Sequence, residues 1–387
     1  MTPPRRRGQA RPRRQRGDSL VGERFEVEVT AFAHGGAGVA RVAERGGRVV
    51  FVRHALPGER VVVEITEGSA GDRFWRGDAI EVLTPSPDRV PAPCPVAGPG
   101  GCGGCDLQHV ALPRQRALKA EVVTEQLERL AGTRRPVVVE AVPGDDEGLR
   151  WRTRVRFATT PEGERGMRRH RSHEVVPIDD CLIAREDARE PGGPSVRETV
   201  TVGSTEASFT VAGDGFWQVH PGAPSALVAA VLEALRPAAG ERLLDLYAGV
   251  GLFARFVGEQ LGAAGAVTAV EGDATAASHA AANLAGLSAP VEVVTGGVGT
   301  VLADRAADPV DLVVLDPPRE GARRPVVEQV VARRPRAVAY VACDPAALAR
   351  DVATFAELGY DLAGLRAFDL FPMTHHVECV ATLLPRQ

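Results

Sequence analysis

ERLLDLYAGVGLF, residues 241–253, decides how the second half of this 387-residue chain folds. A short apolar run carries Asp245 and Tyr247 at its end, breaks at Gly249 and Gly251, and resumes as apolar text of helical spacing. Glycines at such a turn let the backbone approach a ligand, and the helix that follows offers its N-terminal N–H groups. Downstream the alternation repeats through AAGAVTAVEG, APVEVVTG, PVDLVVLDPP, PRAVAYVACD, YDLAGLRAFDL and HVECVATLLP. Strand and helix patterns in alternation predict an α/β, Rossmann-like fold: a mostly parallel sheet with helices on both faces.

Candidate chemistry sits where these strands end. Glu271 closes the second strand, twenty residues after Gly251, the place where an acid accepts hydrogen bonds from ribose hydroxyls. Two cofactors fit. Gly249-x-Gly251-x-x-Ala254 satisfies the dinucleotide fingerprint. S-adenosylmethionine proteins use a similar turn and carry an acid at the end of the first strand, here Asp245. Asp316-Pro317-Pro318-Arg319 follows the strand DLVVL, where many methyltransferases place Asp-Pro-Pro. Amino-group methyltransferases put an aromatic residue next, so Arg319 argues against an amine acceptor. Cys343 ends AVAYVA, just before Asp344 and Pro345, a good N-cap and first helical residue. The helix dipole should favour a thiolate there, the form that attacks electrophilic carbon. Glu378 lies inside an apolar run, which is costly without a task, and general base is the task it suits. Cys379 points to the opposite face and reads as core.

Upstream text is of a different kind. Residues 1–19 are rich in Pro and Arg, without apolar periodicity, and are expected to be a disordered tail. Residues 20–84 alternate in short runs broken by Gly and Pro-Gly, as in a small β-barrel. Residues 85–105 read as a constrained loop, 110–131 as a helix and 150–212 as strands. Cys94, Cys102 and Cys105 fall within twelve residues, and Cys181 in a second segment. Four thiolates can hold Zn²⁺ or a [4Fe–4S] cluster, and spacing does not choose between them. In LRWRTRVRFAT, Arg150, Arg152, Arg154 and Arg156 alternate with Trp151, Thr153, Val155 and Phe157. On one strand that would place four guanidinium groups on one face, suited to a phosphate backbone. Arg168, Arg169 and Arg171 follow nearby.

Composition sets limits. No run of 18 apolar residues exists, which excludes a membrane-spanning helix. The net charge of −4 hides seven arginines in residues 1–17; without them 39 basic residues face 50 acidic ones. The body is therefore not a generally basic nucleic-acid binder, and any RNA or DNA contact must come from local patches. The N-terminus has charge but no apolar signal segment, so the expected compartment is the cytoplasm, where thiols stay reduced.

These residues together carry a resemblance. FWQVHP, DLYAGVGLF, VEGD, DPPREG, YVACDPAALARD and FPMTHHVECVATL run in the order seen in the RNA uracil-C5 methyltransferases, which make 5-methyluridine in tRNA or 23S rRNA. GVARV and VVFVRHALPGERV resemble the TRAM domain, an OB-like RNA-binding barrel, and CGGCDLQH resembles the family's [4Fe–4S] motif. The resemblance covers nearly everything after residue 20 and implies a TRAM barrel at 20–84 and a central α+β iron–sulfur and RNA-binding domain at 85–213. A class I S-adenosylmethionine-dependent methyltransferase domain would follow at 214–387. It implies an S-adenosylmethionine site at Gln218, Tyr247, Glu271 and Asp316, beside Asp245, Gly249 and Gly251. It implies a cluster on Cys94, Cys102, Cys105 and Cys181, iron–sulfur in preference to zinc. Cys343 would attack C6 of a flipped uracil, and Glu378 would remove the C5 proton. The partner would be RNA, without a membrane; the sequence leaves the oligomeric state open, a monomer being favoured. Cytosine-C5 enzymes usually carry a second cysteine in the Asp316–Arg319 loop, so uracil is the expected base. The competing functions are a dinucleotide-dependent oxidoreductase and a non-catalytic RNA-binding protein with a degenerate methyltransferase fold.

Overall fold

The computed structural model describes residues 17–386, so all but the last three residues of the expected N-terminal tail lie outside it. The described chain divides into two compact units, one of the residues up to Ala33 with Ala37–Arg89 and the other of His34–Gly36 with Val90 onward.

The first unit is a closed five-stranded barrel. Its strands are β1 (Arg24–Ala33), β2 (Ala37–Val42), β3 (Arg48–Arg53), β4 (Arg60–Glu67) and β5 (Phe74–Thr84). They pair in the order β1-β2-β3-β5-β4, and β4 closes back on β1. Successive side chains in a strand point to opposite faces. Val27 and Val29 therefore turn inward with Val50, Val52, Val61, Val63 and Ile65, while Glu26 and Glu28 stay in water. Closure leaves no edge strand exposed along the barrel wall.

The second unit begins with α1 (Leu112–Ala131), β6 (Val139–Ala141), β7 (Arg152–Arg154), β8 (Ala158–Thr159), β9 (Arg165–Arg168) and β10 (Val175–Pro177). It continues with β11 (Ala184–Arg189), β12 (Val196–Val202), β13 (Thr205–Val211) and α2 (Ala223–Leu235). Then follow β14 (Arg242–Leu246), α3 (Leu252–Leu261), β15 (Ala266–Glu271), α4 (Ala274–Leu284), β16 (Val291–Thr295) and α5 (Val298–Asp304). The chain ends with β17 (Leu312–Leu315), α6 (Arg323–Ala332), β18 (Ala337–Ala342), α7 (Pro345–Glu357), β19 (Tyr360–Asp369) and β20 (Glu378–Pro385).

Eight strands form one sheet in the order β16-β15-β14-β17-β18-β20-β19-β6. The five from β16 to β18 are parallel, and β20 runs antiparallel between β18 and β19. The chain winds outward from β14 to β16, then crosses back to lay β17 on the other side of β14. Ligands in such sheets bind beyond the C-terminal strand ends at this switch. Parity sorts the core. Leu243, Val267, Leu312 and Val314 pack with α2 and α3 on one face. Leu244, Leu246, Val313, Leu315 and Tyr340 pack with α6 and α7 on the other.

The central segment does not stand apart as expected. β6 pairs with β19 as the sheet's last strand, and α1 lies against α7. The boundary placed at 213/214 is therefore crossed twice by backbone and packing. The fully buried Lys119 of α1 ties the segment down: its Nζ donates to Asp369 Oδ1 at 2.5 Å and to the Phe371 carbonyl at 3.0 Å. Burial pushes the Lys119 ammonium below its ordinary range, and Asp369 opposes that. Lys119→Ala should lower the free energy of urea unfolding by about 3 kcal/mol, the scale for breaking a buried pair, and Lys119→Met with Asp369→Leu should recover most of it.

Candidate active site

A cavity of about 780 Å³ opens beyond the C-terminal ends of β14, β15, β17 and β18. Its wall includes Gln218, Tyr247, Gly249, Glu271, Asp316, Cys343 and Glu378. The strand ends deliver most of these groups. Tyr247, at φ 62, and Gly249, at φ 55, hold left-handed conformations that bend the chain sharply after β14. Glu271 braces that bend. One carboxylate oxygen accepts from the Gly249 N–H at 2.8 Å and the other from the Asp273 N–H at 2.7 Å.

Asp245 and Gly251, expected on the cofactor wall, are not among its lining residues. Asp245 is fully buried beneath the loop and accepts from the Ala254 N–H at 3.0 Å. Burial, then the charges of Asp316 and Glu271, push its carboxyl up to about 8. Gly251 precedes α3 at φ 91 and backs onto Leu284. Both residues shape the loop from behind.

Cys343 and Glu378 meet because of strand register. β18 and β20 pair Ala342 with Cys379, and one step further sets Cys343 opposite Glu378. Facing residues of an antiparallel pair present side chains to the same side, and both line the cavity. Cys379 takes the other face and lies in the core. Asp344 caps α7, accepting from the Ala347 N–H at 2.8 Å.

The expected thiolate is not what this environment favours. Burial pushes the Cys343 thiol up to about 12, and the carboxyls of Glu378 and Asp316 add to it, against Arg319. Desolvation and two carboxyls outweigh a helix terminus whose foremost N–H groups are engaged by Asp344. Glu378 is pushed well above the carboxylate range by burial and by Asp316, again against Arg319. Burial and Glu271 push Asp316 up to about 7.

The Asp316–Arg319 loop is anchored from below. The Asp351 carboxylate on α7 accepts from the Ala322 N–H at 2.8 Å, the Arg323 N–H at 3.2 Å and the Tyr340 hydroxyl at 2.6 Å. Gly321, at φ 81, has no room for a Cβ against that carboxylate. Arg319 Nη2 donates to His376 Nε2 at 3.2 Å. His376 accepts as a neutral imidazole, because burial, His375 and Arg319 push it down to about 3.

The arginine strand is corrected. Only Arg152–Arg154 forms a strand, β7, and Arg150 breaks it with φ 52. Arg150 pairs with Asp180 at 2.9 Å, Arg152 donates to the Arg154 carbonyl at 2.9 Å, and Arg154 donates to the Gly215 carbonyl. Arg156 is exposed. Four guanidinium groups therefore do not share one face; local acceptors and a backbone turn divide them. The Thr153 N–H donates to the Val219 carbonyl at 2.8 Å, so β7 buttresses the loop that carries Gln218.

Cys94, Cys102, Cys105 and Cys181 line one small cavity, with Arg152 and Gln108. All four are free thiols. Burial, then the neighbouring thiols, push Cys105 up to about 12, against the hydrogen bond from Gln108. Among the described residues no group of three or more His, Cys, Asp or Glu closes around a single metal ion.

Sequence reading missed His376, His279, Asp273 and Phe371, which also line the main cavity. Phe371 and His376 lay within FPMTHHVECVATL and Asp273 within VEGD; Asp273 is the N-cap of α4, its side chain accepting from the Ala276 N–H at 2.8 Å.

Comparison with known proteins agrees with this architecture. The TRAM domain family matches residues 18–79, and the tRNA (uracil-5-)-methyltransferase family matches residues 304–386. An uncharacterised RNA methyltransferase of Streptomyces coelicolor is 45% identical, covering 95% of this chain and 94% of the relative. The 23S rRNA (uracil(1939)-C(5))-methyltransferase RlmD of a Shewanella species is 32% identical over 90% of this chain and 93% of its own. The crystal structure of Pyrococcus abyssi tRNA (uracil-54, C5)-methyltransferase, in complex with S-adenosyl-L-homocysteine, superposes with a TM-score of 0.66. It is 21% identical and covers 92% of this chain and 99% of its own.

Only a thiolate is alkylated at a useful rate. Iodoacetamide labelling of Cys343, followed by peptide mass spectrometry, should therefore speed up about tenfold per pH unit from pH 7 to 10 without levelling off. A plateau near pH 8.5, the value for an ordinary thiol, would show that the site does not hold the proton.

Proposed function

This chain belongs to the RNA uracil-C5 methyltransferases, S-adenosylmethionine-dependent enzymes, and from that premise we propose that it methylates a uridine of tRNA or 23S rRNA through a covalent Cys343 adduct. The observation that carries this reading is that Cys343 and Glu378 face each other in the cavity that also holds Gln218, Tyr247, Glu271 and Asp316.

Uracil C5 is a poor carbon nucleophile until a thiolate adds to C6. The target base leaves its stack to reach a cavity of this kind. Cys343 releases its proton to water, the thiolate bonds to C6, and the electron pair of the C5–C6 double bond moves to C5. S-adenosylmethionine supplies the methyl group. Glu378, whose carboxyl burial and Asp316 raise well above its ordinary range, accepts the C5 proton. The electrons of that C–H bond re-form the double bond, and the thiolate leaves. Arg319 opposes both upward shifts and holds positive charge beside the reacting groups. S-adenosylmethionine would be held by Gln218, Tyr247, Glu271 and Asp316 of the cavity wall, the Glu271 carboxylate having lone pairs left for ribose hydroxyls. RNA is held by the TRAM barrel together with exposed cations of the second unit, Arg156 among them.

The four-cysteine cavity is read as the seat of a [4Fe–4S] cluster. Four thiols gather there from two chain segments, with Arg152 beside them to offset negative charge. Bound there, a cluster would cross-link residues 94–105 to Cys181, and no step of methyl transfer runs through it.

Nucleoside mass spectrometry of separately purified tRNA and 23S rRNA tests the function. Deleting the gene should remove 5-methyluridine from one pool, and a plasmid copy should restore it. Cys343→Ala should fail to restore it while binding RNA normally. Glu378→Gln should fail and accumulate an RNA–protein adduct. Full restoration by Cys343→Ala would overturn the covalent route. Protein purified without oxygen should be brown and hold about four iron atoms per chain; colourless protein with one zinc per chain would replace the cluster.

A further inference from the structure

Glu378 follows a segment, residues 371–377, whose shape comes from elsewhere in the chain. Met373 stands at φ 66, a conformation costly for a residue with a side chain and kept only where the surroundings over-determine it. Two such supports are visible. The N–H groups of Asp106 and Leu107, each at 3.0 Å, donate to the Met373 carbonyl. Gln115 of α1 accepts from the Met373 N–H at 2.9 Å and donates to the carbonyls of Leu107 and Val110 at 3.1 and 2.8 Å.

One side chain then carries this grip toward the cavity. Asp106 Oδ2 lies 2.6 Å from His375 Nδ1 and accepts from the His375 N–H at 3.3 Å. The His375 ring lies against His376, with centroids 4.1 Å apart. His376 in turn accepts from Arg319 at 3.2 Å. His376, Arg319 and Glu378 all line the cavity, and Asp106 does not.

We propose that Asp106 is a positioning residue for the methyl-transfer site: through His375 and His376 it sets the place of Arg319 and of the strand start that carries Glu378. The assignment rests on the reading of Glu378 as base. Asp106 adjoins Cys105, so the cysteine loop and the proton-accepting end of the cavity are joined by one carboxylate. The Asp106 carboxyl engages both the His375 ring and its backbone N–H, so it orients the ring as well as the chain.

The test uses the full-length protein as purified, with tRNA and 23S rRNA from cells lacking the gene as substrate. Asp106→Ala should lower kcat about tenfold or more while KM for S-adenosylmethionine stays within about twofold, the signature of an interaction that acts on the chemical step. Asp106→Asn keeps an oxygen acceptor and should recover most of kcat. His375→Phe should match Asp106→Ala, and the double variant should lose no more than either alone.

Hydrogen exchange supplies a readout independent of turnover. Asp106→Ala should speed exchange at the amides of residues 374–378 and leave β14, β15 and β17 unchanged, in the Cys343→Ala background as well. Two results would overturn the proposal: kcat for Asp106→Ala within about twofold of the parent, or protection lost across the whole second unit with Asp106→Asn no better. Activity in Cys343→Ala would sink the covalent reading and leave the exchange result standing, so the two failures are distinguishable.

Discussion

A thiol and a carboxyl face each other where β20 runs back between β18 and β19, and neither ionises easily. Everything else at the site answers to that constraint. Burial raises Cys343 and Glu378 together, Glu378 makes the Cys343 thiolate more costly, and Asp316 adds to both. Such a pair is inert until something else changes the field. Arg319 is the cation already in place, and a bound base would displace water and add its own hydrogen bonds. The resting site thus favours the neutral form of both groups, with Arg319 opposing that.

The constraint explains the architecture around it. One antiparallel strand inserted into a parallel sheet brings its N-terminal end to the C-terminal edge of β18, and only that reversal can set Glu378 opposite Cys343. The strand then needs an anchored approach. α1, the cysteine loop and β6 provide it, which is why the central segment is built into the catalytic sheet and does not form a separate body. On the opposite wall, β7 holds the Gln218 loop by Thr153 and Arg154. The chain before the methyltransferase sheet therefore has a mechanical task beside any contact with RNA.

Much of this was legible from residues alone. Alternating apolar runs predicted the barrel and the parallel sheet, since period and turn residues report local structure directly. DLYAGVGLF, VEGD, DPPREG and YVACDPAALARD marked strand ends, where a doubly wound sheet collects its ligands. The arginine strand was misread because alternation predicts a strand only when the backbone stays extended, and Arg150 leaves that region at φ 52. Asp245 was misplaced because a strand-ending acid can turn down into the core as readily as up toward a ligand, and the text around it is the same in both cases.

The sequence by itself determined the element types, the glycine turn, the identity of the thiol and carboxyl at strand ends, and the family. These are local patterns or ordered motifs, and each is complete within a few residues. Only the tertiary structure decided which groups share a cavity, how far burial shifts them, and that Asp106 and Lys119 reach residues about 250 positions away. Distances and desolvation are set by packing among remote segments, and no local pattern along the chain encodes them.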